Sequence, residues 1–134
     1  MSRKRENVRQ CKAIRQLIDD NKYTKALELI DAIPLEEVGS LDDLYRYAEL
    51  YEKAERMDKK KEIFYHIYHR THSRYMLNRL LRLTIRMGDM EEARELYFAY
   101  EVAGPITLDT FELRYLLAKA EGEPPERLIQ ILEE

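Results

Sequence analysis

A single cysteine, Cys11, excludes an internal disulfide and a cysteine-rich zinc site. A reduced cytoplasm is the expected setting for such a chain. Four glycines and four prolines leave room for few loops, and all four glycines fall at expected turns. There is no phosphate-cradling loop, no dinucleotide fingerprint and no nucleophile elbow. No cofactor and no enzymatic activity are therefore expected. No window approaches the roughly eighteen apolar residues that a membrane span needs. Behind Ser2-Arg3-Lys4-Arg5-Glu6-Asn7 there is no apolar run, so no signal peptide is expected, and the residues after Glu6 read as domain sequence.

What the chain does contain is apolar surface and charge together. Hydrophobic residues make up 45% and charged residues 37%, with ten tyrosines. That mixture suits amphipathic helices with ion-rich outer faces, and 134 residues suffice for one domain with a core. The net charge of −3 hides segregation. Residues 1–15 carry net +5, 16–55 net −7, 56–86 net +7 and 87–134 net −8. Such alternation bears on partners more directly than the total does.

Helix breakers recur along the chain: Asp20-Asn21, Pro34 with Gly39, Met57-Asp58, Thr71-His72-Ser73, Gly88, Gly104-Pro105, and Gly122 through Pro125. The segments between them have helical periodicity and none alternates as a strand would. The spacing predicts helices over 4–19, 22–33, 41–56, 59–71, 74–86, 90–103, 107–121 and 125–133. Ser40 to Asp43 and Asp89 to Glu92 read as capping boxes, and Thr107 caps the seventh helix. Pro124 and Pro125 suit the first turn of the eighth. The fifth helix, apolar almost all round, should be the most buried.

The turn landmarks Asn21, Met57, Gly88 and Gly122 lie 36, 31 and 34 residues apart. Here the chain resembles the tetratricopeptide repeat, whose unit is a helix pair of about 34 residues. The third unit carries the resemblance best, with Leu77-x-x-Leu80-Leu81-x-x-Thr84, then Ala93-x-x-x-Tyr97 and Pro105. The first keeps Ala26-x-x-x-Ile30 and Pro34, and the second keeps Leu44-x-x-Tyr47-Ala48-x-x-Tyr51. The second unit departs at Glu62 and the fourth at Arg114, although the fourth keeps Phe111, Tyr115 and Ala118. The stretch from Gly88 to Ala120 is also similar to a pentatricopeptide unit, a related RNA-binding repeat. The expected fold is all-α: one domain, a right-handed solenoid of about four helix–turn–helix repeats, at about 4–34, 40–72, 74–105 and 107–134. The last helix has a broad apolar face (Leu128, Ile129, Ile131, Leu132) with no polar cap. Further repeats past Glu134, or self-association through this helix, are the expectation it raises.

Chemistry-bearing clusters are few. His66, His69 and His72 are spaced i, i+3, i+6, which turns the outer two about 120° apart and suits no metal site. Asp19-Asp20, Glu36-Glu37, Asp42-Asp43 and Glu91-Glu92 are neighbours in sequence, so their side chains do not face each other; capping and dipole compensation explain those at helix starts. Cys11 stands among Arg9, Lys12 and Arg15 with no histidine near, and a buried small side chain is its ordinary role.

The basic block offers a binding stripe. Asn78, Arg82 and Arg86 are spaced i, i+4, i+8, with Arg79 beside them. The family resemblance implies that the first helix of each pair lines a concave groove. On that basis Tyr75, Asn78, Arg79, Arg82 and Arg86 line it in the third unit, and Tyr45 and Glu49, with Glu52, in the second. Arginine presents a planar fork suited to carboxylates, so the expected partner is a protein or an acidic peptide. The alternative is that these arginines are solvated or pair with acidic neighbours. A non-enzymatic protein-interaction scaffold is the expected function. RNA binding by residues 56–86 is a second reading, disfavoured by the flanking acidic blocks, and a structural spacer within a larger protein is a third.

Overall fold

The computed structural model describes residues 3–124, 126, 127, 129 and 130. Among them every regular element is a helix, and none is long and apolar enough to cross a membrane. The chain packs as two compact units that divide after Arg70. This division falls between the second and third expected helix pairs.

The first unit contains α1 (Arg3–Asp19), α2 (Tyr23–Ala32), a single 3₁₀ turn (Leu35–Glu37), α3 (Leu41–Lys53) and α4 (Met57–Thr71). Helix α1 packs on α2, and α2 on α3. Ile14, Ala26, Leu44, Tyr47, Ile63 and Ile67 are among its most deeply buried side chains, and Cys11 is buried with them. The second unit contains α5 (Arg74–Met87), α6 (Met90–Val102) and α7 (Leu108–Ala120). Each of these three helices packs on the other two. Met76, Leu80, Leu81, Thr84, Ala93 and Leu113 lie at its centre. Helix α5 buries more of its residues than any other described helix, as its all-round apolar pattern predicts.

One helix ending recurs. After α1, α3, α5 and α7 the chain passes through a left-handed residue: Asn21 (φ 60°), Glu55 (59°), Gly88 (83°) and Gly122 (84°). Each is closed by the same pair of backbone bonds. The amide after the left-handed residue donates five residues back, from Lys22 to Leu17 (2.8 Å), Arg56 to Tyr51 (2.8 Å), Asp89 to Thr84 (3.3 Å) and Glu123 to Ala118 (3.1 Å). This is the Schellman closure, which satisfies carbonyls that a helix end would otherwise leave unpaired. These four positions are 34, 33 and 34 residues apart, more regular than the sequence landmarks; a fifth left-handed residue, His72 (φ 52°) after α4, falls outside this spacing. The second landmark, placed at Met57, belongs at Glu55. Because Arg56 already closes α3, α3 ends at Lys53 and α4 starts at Met57, both earlier than expected.

Caps explain the helix starts. Ser40 accepts from the Asp43 amide (3.3 Å) and Asp89 from the Glu92 amide (3.2 Å), as expected. The Asp43 carboxylate does not complete a reciprocal box; it is buried against Arg15 at 3.3 Å. Thr107 leads α7, and its amide donates to the Thr110 hydroxyl at 3.0 Å. Ser73 caps α5 by accepting from the Met76 amide, and α5 starts at Arg74, the residue where the sequence places it. The eighth expected helix, 125–133, and the self-association face of Leu128, Ile129, Ile131 and Leu132 fall largely outside the described residues; Glu126, Arg127, Ile129 and Gln130 are helical, and Ile129 is exposed.

Candidate functional site

The arginine stripe lies on α5 and is engaged within its own unit. Asn78 is buried, and its side-chain oxygen accepts from Arg82 Nε at 2.6 Å. The same guanidinium reaches Glu112 on α7 at 3.0 Å. That bond holds the Glu112 carboxyl below its ordinary range. Arg79 lies over the exposed Tyr75 ring, 5.8 Å from its centroid. Arg86 is exposed at the end of the stripe. Tyr45, half-buried, and Glu49, exposed, lie on α3 of the other unit. An acidic ligand on Arg82 would compete with Glu112 for Nη1 and find Nε taken by Asn78. Elsewhere in the basic block, Arg56, Lys59 and Lys60 pair with Asp31, Glu62 and Glu52. Arg70 donates to the carbonyls of Leu35 and Gly39.

The first unit has an open cleft of about 600 Å³ between the end of α2, the 3₁₀ turn and α4. Its floor is apolar, from Ile30, Ile33 and Ile63, and Tyr65, His66 and His69 stand along one wall. At its edge the Tyr51 hydroxyl donates to Asp31, which also accepts from Arg56 at 3.1 Å. The Tyr51 bond, more than Arg56, holds the Asp31 carboxyl low, whereas burial pushes the Tyr51 phenol up. His66 Nε2 is buried without a hydrogen-bond partner, and burial lowers the imidazole's proton affinity. Rim charges of both signs, Glu36 and Glu62 against Lys59, select no single ligand charge. Among the described residues no group of three His, Cys, Asp or Glu side chains is placed to hold a metal ion.

The second unit carries a different feature. Phe98 (68% exposed), Val102 (71%), Ile106 (64%) and Leu108 (88%) stand in solvent within eleven residues, on α6, in the loop after it and at the first residue of α7. The loop is anchored. Arg74 Nε donates to the Tyr100 carbonyl at 3.0 Å, and Nη1 donates to the Pro105 carbonyl at 2.8 Å. Its guanidinium lies over the Tyr100 ring, 3.9 Å from the centroid. Exposed apolar side chains scattered singly are ordinary; here four large ones fall within eleven residues.

No known family decides the matter. The chain matches no protein-family model, no characterised protein and no solved structure.

Sequence reasoning misses this strip for a specific reason. Periodicity on α6 draws attention to Ala93 and Tyr100, which are buried, and to Tyr97, whose hydroxyl accepts from Arg114. The opposite face is read as solvated by default. The signal was available: Phe98 and Val102 are large apolar residues, four apart, on what should be the polar side.

Proposed function

We propose that this chain is a non-enzymatic protein-interaction module of the tetratricopeptide-like helical-repeat type, and that it engages its partner through the strip Phe98, Val102, Ile106 and Leu108. One observation carries this reading: four large apolar side chains are presented to water on a segment that Arg74 holds in place. The recurrent left-handed ending at 34, 33 and 34 residues supports the repeat character. The peptide reading of the α5 stripe is weaker, because Arg82 is already bonded to Asn78 and Glu112. The RNA reading is weaker again, because most cations of the basic block are bonded within their own unit.

The test is affinity capture by the intact chain beside its Phe98→Ser/Leu108→Ser variant. Both substituted side chains are exposed, so the variant should keep its helical circular dichroism and melting temperature. A partner protein retained by the intact chain and lost by the variant is the expected result. Identical retention of every bound protein by both would overturn the assignment of the strip.

A further inference from the structure

The outer face of α6 has an order of its own. Glu91, Glu95, Phe98 and Val102 are spaced i, i+4, i+7, i+11. This is the spacing that keeps side chains in one line along a helix, the seam on which a second helix lies. The opposite face, with Ala93, Leu96 and Tyr100, is buried. The line is acidic over its first half and apolar over its second, and all four side chains are exposed.

The charges beside the line are satisfied internally. Arg94 pairs with Glu121, and Glu101 pairs with Arg114. Glu91 and Glu95 have no ion pair or hydrogen bond among the described residues. Like charges one turn apart destabilise a free helix, and cations brought by a partner would relieve them.

We propose that α6 docks an amphipathic helix of a partner protein, with Lys or Arg along one half of its contact line and large apolar residues along the other. The cations meet Glu91 and Glu95, and the apolar half covers Phe98 and Val102 and continues toward Ile106 and Leu108. The proposal rests on the reading of the second unit as a binding unit and adds the chemistry of its partner. A second copy laid α6 on α6 does not fit. Antiparallel, its Glu91 and Glu95 would lie on Val102 and Phe98; parallel, carboxylates would face carboxylates. Helix-in-groove recognition uses this same i, i+3/i+4, i+7 reading of anchors.

Three synthetic helical peptides of equal length test it against the full chain by calorimetry and backbone amide shifts. The first has two lysines followed by two leucines along its contact line. The second has the same residues alternating, and the third has glutamates for the lysines. The first should bind saturably, shift the α6 amides, and bind about tenfold more tightly than either of the others. Glu91→Lys/Glu95→Lys should weaken it about tenfold while leaving the circular dichroism unchanged, because both carboxylates are exposed and unpaired. Its affinity should fall as salt rises. Equal binding of all three peptides, indifference to the charge reversal, no saturable binding of the first, or a stable dimer of the chain in sedimentation would each overturn the proposal. If the peptide fails while Phe98→Ser/Leu108→Ser still releases a captured protein, the strip stands as a binding surface and its partner is not such a helix. If that variant releases nothing, the reading of the second unit fails with it.

Discussion

Gly104 lacks a side chain where the Arg74 guanidinium passes: a Cβ there would stand 2.8 Å from Nη1 of Arg74. Glycine is needed here for space, since its φ is not in the left-handed region. The guanidinium cannot easily move aside, because it is bonded to the carbonyls of Tyr100 and Pro105. Gly104→Ala should therefore destabilise the chain by about 1–2 kcal/mol through overpacking. Arg74→Ala should cost about 2–3 kcal/mol, since it strands two carbonyls and removes the contact with the Tyr100 ring. Urea unfolding checks both, as a lower midpoint at unchanged slope.

The left-handed ending after α3 is held by a residue poorly suited to it. Glu55 adopts φ 59°, where a Cβ is unfavourable. Glu55→Gly should stabilise the chain by about 0.5–1 kcal/mol, and Gly88→Ala should destabilise it by about 1 kcal/mol. A Cβ at Gly88 would meet nothing within 4 Å, so backbone conformation alone accounts for that loss. Paired thermal melts of the two variants give opposite signs if this is right.

The link from Arg82 to Glu112 can be tested by exchange. Arg82→Glu would place a carboxylate beside Glu112 and leave the Asn78 oxygen without its donor, so the melting temperature should fall. Adding Glu112→Arg should recover part of the loss, and a double-mutant cycle should report a favourable coupling. Asn78→Ala, which removes the buried acceptor, should cost about 1 kcal/mol.

Acid should weaken the fold through two carboxylates. The Tyr51 hydroxyl, then Arg56, holds Asp31 below its ordinary value of 3.8, and Arg82 holds Glu112 below 4.5. Each group binds its proton more readily in the unfolded chain, so each contributes stability above its ordinary value. That contribution is lost as pH falls from there through the lower value in the folded chain. Asp31→Asn and Glu112→Gln should each flatten the decline in urea midpoint below about pH 4.5. An unaltered decline in both variants would refute this account.

Helix content was legible because it rests on local rules. Gly88, Gly122 and Asn21 are recognisable stop signals, and the all-round apolar pattern of α5 foretells its burial. The ending at Glu55 was hidden because glutamate signals helix continuation, and the backbone there is set by the bond from Arg56 to Tyr51. The fate of the arginine stripe was illegible for another reason. Arg82 and Glu112 are 30 residues apart, and no periodicity encodes which carboxylate α7 brings to α5. The strip on α6 was written plainly in Phe98 and Val102, but on the face that periodicity assigns to solvent.

The four left-handed endings have one more implication. Each is sealed by bonds confined to a window of six residues, so none depends on a distant neighbour for its shape. The four joints are therefore locally specified. Each ending is thus written into its own six residues, as a punctuation mark belongs to the clause it closes.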